Sequence, residues 1–350
     1  MRYSIFGESH GPAIGVLIEG LPAGIELDLD YIGSELARRA PGQSPLTTTR
    51  CEADIPDILS GVFEGKTTGA PLCAIIRNTD TRSADYQETR YLPRPGHADY
   101  TGFVRYGWNN DYRGGGHFSG RLTAPLVLAG ALAKHILAGQ GINIGSHIRE
   151  LAGIRDAQID KAVVTPELIK EITAKPFAVL SDEKGKEMSD AIIRAKDRGD
   201  SVGGIIECFA YGMPAGVGQP GLDSVESVIS RHLFAVPAVK GIEFGAGFGF
   251  ASMYGSEAND PLYMDGELVR TRTNNSGGIN GGITSGMPLF LSVVIRPTPS
   301  IVLVQETIDL RTMENAQVAT TGRHDPCIVP RAVPVIEAAV ALAICEILKV

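Results

Sequence analysis

TTGAPLCAIIRNT at 67–79 returns in altered form as ITSGMPLFLSVVIRPT at 283–298. Each copy sets a Ser or Thr, a Gly and a Pro-Leu pair ahead of an apolar run that leaves through Arg and Thr. A short apolar run rich in β-branched residues and bounded by Gly and Pro reads as a buried strand. Its recurrence points to a duplicated α+β unit. Outward from these two strands, 70–77 and 287–296, the same signals predict strands over 13–19, 57–63, 203–211 and 241–252. Helical periodicity predicts helices over 31–39, 121–138, 183–198, 222–234 and 331–349. The last carries Val333, Ile336, Val340, Ile344 and Ile347 at helical spacing and reads as core. Long βαβ alternation is absent, and the Gly-rich clusters do not fit the GxGxxG dinucleotide fingerprint between a strand and a helix. The expected fold is α+β, layered sheet–helix–sheet with internal duplication, and residues 1–350 form one domain because no linker or charge run divides them.

Composition narrows the function. At 350 residues and 37.1 kDa, with 43% hydrophobic residues, the chain can bury a sizeable core. Its net charge of −8 and pI near 5.5 disfavour a nucleic-acid partner, which needs a strong basic surface. A local arginine cluster can still take an anionic small molecule. Cys51, Cys73, Cys208, Cys327 and Cys345 form no CxxC or Cys/His ligand pattern and read as reduced thiols. No apolar run reaches the roughly 18 residues of a membrane span, and MRYSIFGESHG has no signal-peptide pattern, so a cytoplasmic protein without membrane contact is expected.

Chemistry concentrates where ionisable residues sit among glycines, because glycine lets backbone approach a ligand closely. These residues are His10 in GESHG, His97 in RPGHAD, Arg121 in GGGHFSGRLT, and Arg323, His324 and Asp325 in GRHDPC. Histidine exchanges protons near neutrality. Arg38, Arg39, Arg50, Arg94, Arg113, Arg121 and Arg323 all lie in or beside Gly/Pro-rich loops, and guanidinium forks match phosphate and carboxylate oxygens in a way lysine does not. His135 and His147 read as structural, and Trp108 with Phe103, Tyr106 and Tyr112 as core or subunit contact. No GxSxG elbow, HExxH or Walker loop is present.

These loops resemble the chorismate synthase family along nearly the whole chain. FGESHG at 6–11, the Pro-Ala-Gly turn at 22–24, RRAPG at 38–42, LSGVFEGKTTGAP at 59–71, NTDTRSADY at 78–86, RPGHADY at 94–100 and DYRGGG at 111–116 follow the family in order. GDSVGG at 199–204, AVKGIEFGAGF at 238–248, SGGINGGITSG at 276–286, RPTPSI at 296–301 and GRHDPCIVPRAVPV at 322–335 continue it. The resemblance implies a lyase at the seventh step of the shikimate pathway. Such a lyase eliminates the 3-phosphate and a C6 hydrogen from 5-enolpyruvylshikimate-3-phosphate (EPSP) with the help of reduced flavin mononucleotide (FMN).

It also implies residue roles: His10 assisting the phosphate as a proton donor, His97 acting beside the reduced flavin ring, and Asp325 helping the flavin N5 region receive the ring proton. Substrate contacts would fall on Ser9, Arg39, Arg94, Arg121 and Arg323. Flavin contacts would fall on His117, Phe118, Ser119, Pro237, Ala238, Gly281, Arg296, Pro297, Thr298, Pro299, Ser300 and Arg323. A homotetramer is implied as well. Some family members reduce flavin with NAD(P)H, but without a dinucleotide fingerprint an external flavin reductase is the expected source here. The chain departs from the commoner pattern at His117 and Phe118, which stand for Arg and Ser, and at Arg296, which stands for Lys. Ala40, Pro45 and Cys51 stand for Arg, and Pro237 stands for Asn.

Overall fold

The computed structural model describes residues 1–42, 46–47, 52–80, 86, 90–320 and 324–350. Its first sheet holds β1 (Arg2–Gly7), β2 (Ala13–Glu19), β3 (Pro56–Ser60) and β4 (Leu72–Arg77) in the order β1-β2-β4-β3, every pair antiparallel. The second holds β5 (Asn143–Leu151), β6 (Gly204–Tyr211), β7 (Val239–Phe244) and β8 (Leu289–Ile295) in the order β5-β6-β8-β7, again antiparallel, with Ile154–Arg155 at its edge. The two orders are the same. Between the second and third strands of each unit lies a helix, α1 (Leu29–Arg39) in the first. After the fourth strand the first unit adds the short α2 (Asp99–Arg105) and the long α3 (Thr123–Ala138). In the second unit, α4 (Pro166–Thr173) and α5 (Asp182–Asp197) are inserted between β5 and β6. There α6 (Val225–Phe234) answers α1, and α7 (Val329–Leu348) answers α3.

The duplication extends to single hydrogen bonds. In the Pro22-Ala23-Gly24 turn, Gly24 N donates to Thr67 O (2.7 Å), Thr67 N to Ile25 O (2.9 Å), Ile25 N to Thr67 Oγ1 (2.9 Å) and Thr67 Oγ1 to Pro22 O (2.6 Å). In the second unit, Gly216 N donates to Thr284 O (2.8 Å), Thr284 N to Val217 O (2.8 Å), Val217 N to Thr284 Oγ1 (2.9 Å) and Thr284 Oγ1 to Pro214 O (2.6 Å). Gly24 and Gly216 hold φ of +85° and +88°, a conformation that glycine adopts without penalty. The fold expected from the echo at 67–79 and 283–298 is therefore present down to its turn chemistry.

Helices fill the space between the sheets. α3 touches β2 and β4 on one side and β5 on the other, while α7 packs on β5 and β6. A Cβ added at Gly130 would fall 2.1 Å from that of Ala338, so α3 and α7 cross almost backbone to backbone. One contiguous apolar cluster joins Ile14, Val16 and Ile76 of the first sheet to Ile148, Phe209 and Phe290 of the second through Leu132, Val340 and Ile344. Contrary to expectation, Gly120–Ala138 is long and apolar enough to cross a membrane, but it is almost wholly buried as this central helix.

Boundaries shift where the backbone turns. The strand expected at 57–63 stops at Ser60 because Gly61 has φ +84° and a Cβ there would lie 2.5 Å from Leu72 Cα. The strand expected over 241–252 stops at Phe244, where Gly245 and Gly247 have φ of +59° and +54° and a 3₁₀ turn takes over. Helix α6 starts at Val225, later than expected, because the Ser224 hydroxyl caps it by accepting from Ser227 N (3.1 Å).

Candidate active site

The run Gly114-Gly115-Gly116 builds the site's floor. All three glycines have positive φ, of 59°, 91° and 52°. A Cβ at Gly114 would fall 2.2 Å from the His10 ring, and one at Gly115 would fall 3.1 Å from the His97 ring. The loop can thus lie against both histidines only because it carries no side chains. His10 follows β1, and its Nδ1 is 2.9 Å from the buried Ser9 hydroxyl. That hydroxyl donates to Arg113 O (3.2 Å), which leaves its lone pair to accept from His10 Nδ1–H. Nε2 of His10 is then the nitrogen that takes or gives a proton. Ser9, expected to touch substrate, stands behind His10 and does not line the cleft.

His97 Nδ1 lies 2.6 Å from Asp99 Oδ1. Arg94 grips the same carboxylate through Nε (2.7 Å) and Nη2 (2.8 Å) and reaches Ser300 Oγ with Nη1 (3.0 Å). Burial would raise the Asp99 carboxyl, but the hydrogen bonds from Arg94 and His97 outweigh it and hold the group well below the usual carboxylate range.

Three further arginines converge opposite. Arg39, at the end of α1, donates to Asp54 Oδ2 (2.6 Å). Arg121, in the turn before α3, pairs with Asp54, with Glu52 at 3.0 Å and with Asn78 Oδ1 at 3.0 Å. Arg331, in the first turn of α7, pairs with Asp325 and donates from Nε to Arg39 O (3.0 Å). Burial draws the Arg39 guanidinium down to about 10, the Arg331 and Arg121 cations adding to the effect and Asp54 opposing it. Cations this crowded favour an incoming anion. Arg121 Nη2 is buried with no hydrogen-bond partner among the described residues, and the Thr298 hydroxyl is in the same condition. Orphaned donors on a cleft wall are costly unless a ligand oxygen meets them.

Around these groups lies a cleft of about 770 Å³. Its walls come from equivalent parts of the two units. The ends of α1 and α6 bring Arg39 and Pro41 against Phe234, Ala235, Val236, Pro237 and Ala238. The starts of α3 and α7 bring Arg121 and Thr123 against Ile328, Arg331, Ala332 and Val335. The cleft therefore lies where equivalent ends of the two units meet, with Arg39, Arg94 and Arg121 from the first unit, Lys240, Arg296 and Arg331 from the second, and most of its apolar surface from the second.

Of the residues singled out in the sequence, His10, His97, Asp325, Arg39, Arg94, Arg121, His117, Phe118, Ser119, Pro237, Ala238, Arg296, Thr298, Pro299 and Ser300 line the cleft. Pro297 and Gly281 do not; Gly281 turns the exposed hairpin between Asn280 and Ile283. Arg323, Arg50, Pro45 and Cys51 lie outside the described residues. Arg38, grouped with the site arginines by its RRAPG context, points instead into the helix layer, and Arg113 pairs with Asp111. Sequence reasoning missed Arg331 and the anions Glu52, Asp54 and Asp99. Asp99 was findable as the acid two residues beyond His97, and Asp54 only through the fold. Tyr106, read as core or subunit contact, is half-exposed and lines the cleft, while Trp108 is 48% exposed.

Two histidines, a carboxylate and several arginines thus share one cleft, the equipment of an enzyme that moves protons. The family model for chorismate synthase matches residues 1–348. The chain is 47% identical over 347 residues to the chorismate synthase of Thermococcus kodakarensis, covering 99% of this chain and 95% of that one. It is 45% identical over 342 residues to that of Dehalococcoides mccartyi, covering 98% and 93%. A solved crystal structure of chorismate synthase superposes with a TM-score of 0.78 at 29% identity, covering 99% of this chain and 91% of that one. The chain belongs to the chorismate synthase family and is a lyase.

Proposed function

We propose that the cleft holds EPSP and reduced FMN together and that the chain eliminates phosphate from EPSP, in an anti-1,4 sense, to give chorismate. The observation that carries this reading is the gathering of arginines and an apolar surface in one cleft. EPSP has a phosphate and two carboxylates, and the cationic wall of Arg39, Arg121 and Arg331 matches three anionic groups. An isoalloxazine needs a flat apolar seat, and Val236, Pro237, Ala238, Ile328 and Ala332 offer one, with Arg296, Thr298 and Ser300 near for polar groups. The orphaned Arg121 Nη2 and Thr298 Oγ1 fit ligands rich in oxygen. His117 keeps a polar ring where the commoner pattern has Arg, and Phe118 packs on Gly102 of α2, where a Cβ would lie 2.5 Å from its ring.

Reduced flavin, when bound, supplies electron density that no side chain can. The chain's own groups do the rest. Arg39, Arg121 and Arg331 orient the anion and stabilise charge on the departing phosphate. His10, its Nδ1–H held by Ser9, gives the leaving oxygen a proton from Nε2 when the ring is the imidazolium and is left as the neutral Nδ1–H tautomer. Asp325, steadied by Arg331, assists removal of the C6 proton, and His97 sits beside the flavin. Assembly into a homotetramer belongs to the same proposal. The excursion over 247–271 supports it by exposing Phe248, Tyr254, Leu262, Met264 and Leu268, since a two-stranded hairpin with no buried face is marginal alone.

Two ligands sharing one cleft should bind with positive coupling. FMN affinity is expected to rise about 5–150-fold with EPSP present, and EPSP affinity to rise by the same factor with FMN. Titration calorimetry of each ligand with and without the other measures both arms. Independent affinities would remove the shared site.

A further inference from the structure

We infer that Asp99 is the positioning residue of His97: it fixes the imidazole as the Nδ1–H tautomer and turns Nε2 into the cleft, with Arg94 serving as the counter-ion of Asp99 in place of the substrate contact that the motif suggested. The 2.6 Å separation of His97 Nδ1 and Asp99 Oδ1 requires a hydrogen between them. Asp99 cannot supply it, because Arg94 holds both of its oxygens: Nε and the backbone N of Arg94 reach Oδ2, and Nη2 reaches Oδ1. The hydrogen is therefore on Nδ1. Arg94 Nη2 also lies 3.1 Å from Nδ1, but a guanidinium only donates and cannot take that proton.

The rest of the surroundings holds the ring in place. Gly115 leaves room for its Cε1–Nε2 edge, with a Cβ there only 3.1 Å from both atoms. Arg296 donates to Gly96 O beside the histidine and ties the RPGHAD loop to the strand end after β8. Arg94 spends its remaining nitrogen, Nη1, on Ser300. Each nitrogen of its fork already has a protein partner, whereas Arg121 keeps an unpartnered Nη2 among the described residues. The two arginines thus have different work: Arg121 meets the ligand, and Arg94 holds the acid that holds His97. An orienting acid of this kind typically changes activity by about 10–100-fold through the group it orients.

The inference rests on the reading of His97 as a group that acts in the cleft beside the flavin, and its test has one arm that is independent of turnover. Imidazole ¹⁵N shifts of the full-length, histidine-labelled protein, with His97 assigned by its loss in H97A, should report Nδ1 protonated and Nε2 unprotonated when neutral. In Asp99→Asn, the Arg94 donors will claim the amide oxygen and leave the amide NH₂ toward His97, so the tautomer should switch to Nε2–H. D99N should lower kcat about 10–100-fold with the KM for EPSP unchanged, D99E should recover part of that loss, and D99N should cost nothing more in an H97A background. A wild-type Nε2–H tautomer, or a D99N loss that persists in full without His97, would overturn the assignment. Failure of turnover in the wild type would instead strike the proposed reaction and leave the tautomer result standing.

Discussion

Replacing His10 with alanine should lower turnover by about a hundredfold or more, the range that positioned acid–base groups contribute. Ser9 Oγ accepts from the His10 Nδ1–H and itself donates to Arg113 O, which assigns acid–base work to Nε2. Loss of the ring also leaves a gap over Gly114 and removes an edge contact with Tyr86, while His10 is no member of the apolar core. The expected signature is therefore a fall in kcat with FMN affinity and thermal stability close to wild type. An anaerobic assay with chemically reduced FMN measures it, and a variant with near-normal kcat would take His10 out of the chemistry.

The second large effect concerns stability. Glu337→Gln should destabilise the fold by about 3–5 kcal/mol, the usual cost of breaking a buried ion pair by removing one partner. Glu337 lies on α7 with no exposed surface and accepts Arg38 Nη1 (2.7 Å), Arg38 Nη2 (2.9 Å) and Lys134 Nζ (2.7 Å). Glu35 of α1 pairs with the same two cations, at 2.9 Å and 2.7 Å, so α1, α3 and α7 meet in one buried charge cluster. Burial alone would raise the Glu337 carboxyl; Arg38 and Lys134 reverse this and hold it ionised. Its pKa is thus depressed by folding, so its contribution is present above the ordinary carboxylate range and is lost as pH falls through the folded value. With glutamine there, two buried cations share one carboxylate. Against a total stability of about 5–15 kcal/mol, that loss should move the urea midpoint plainly. A shift worth less than about 1 kcal/mol would show that the cluster rearranges around the change.

How much of this was legible from sequence follows from where each signal resides. β4 and β8 announce themselves as apolar runs between Gly-Pro entries and Arg-Thr exits. The Pro-Ala-Gly turns at 22–24 and 214–216 repeat the same unit and could have strengthened the duplication. β1 was missed because RYSIFG alternates on an edge strand with one face exposed. β5 shows in the sequence only as a strand-like stretch around His147, without bounds, because Gly145, Ser146 and His147 interrupt its apolar run. His147 was rightly read as structural, but its burial depends on Asp156 (3.1 Å) and Glu207 (3.0 Å), and the second of these comes from a neighbouring strand distant in sequence.

The site divides the same way. Histidines and arginines set among glycines mark the cleft directly, since only a backbone without side chains can lie against them. Their anions carry no such mark. Asp54 at φ +51° between Arg39 and Arg121 is visible only once the fold brings α1 and the start of α3 together. RRAPG pointed equally to Arg38 and Arg39, and helical geometry separates them: neighbours on α1 face different directions, so one enters the cleft and the other enters the helix layer.

One cleft between the two units is proposed to hold an anionic substrate and reduced flavin together for a reaction with no net redox change. Incubating the pure protein anaerobically with EPSP and chemically reduced FMN tests it most directly, with chorismate, phosphate and the flavin spectrum followed together. The account predicts equal amounts of chorismate and phosphate over many turnovers, with the flavin still reduced at the end and no product when FMN is oxidised or omitted. Equal turnover with oxidised FMN, or one flavin oxidised for each chorismate formed, would contradict it.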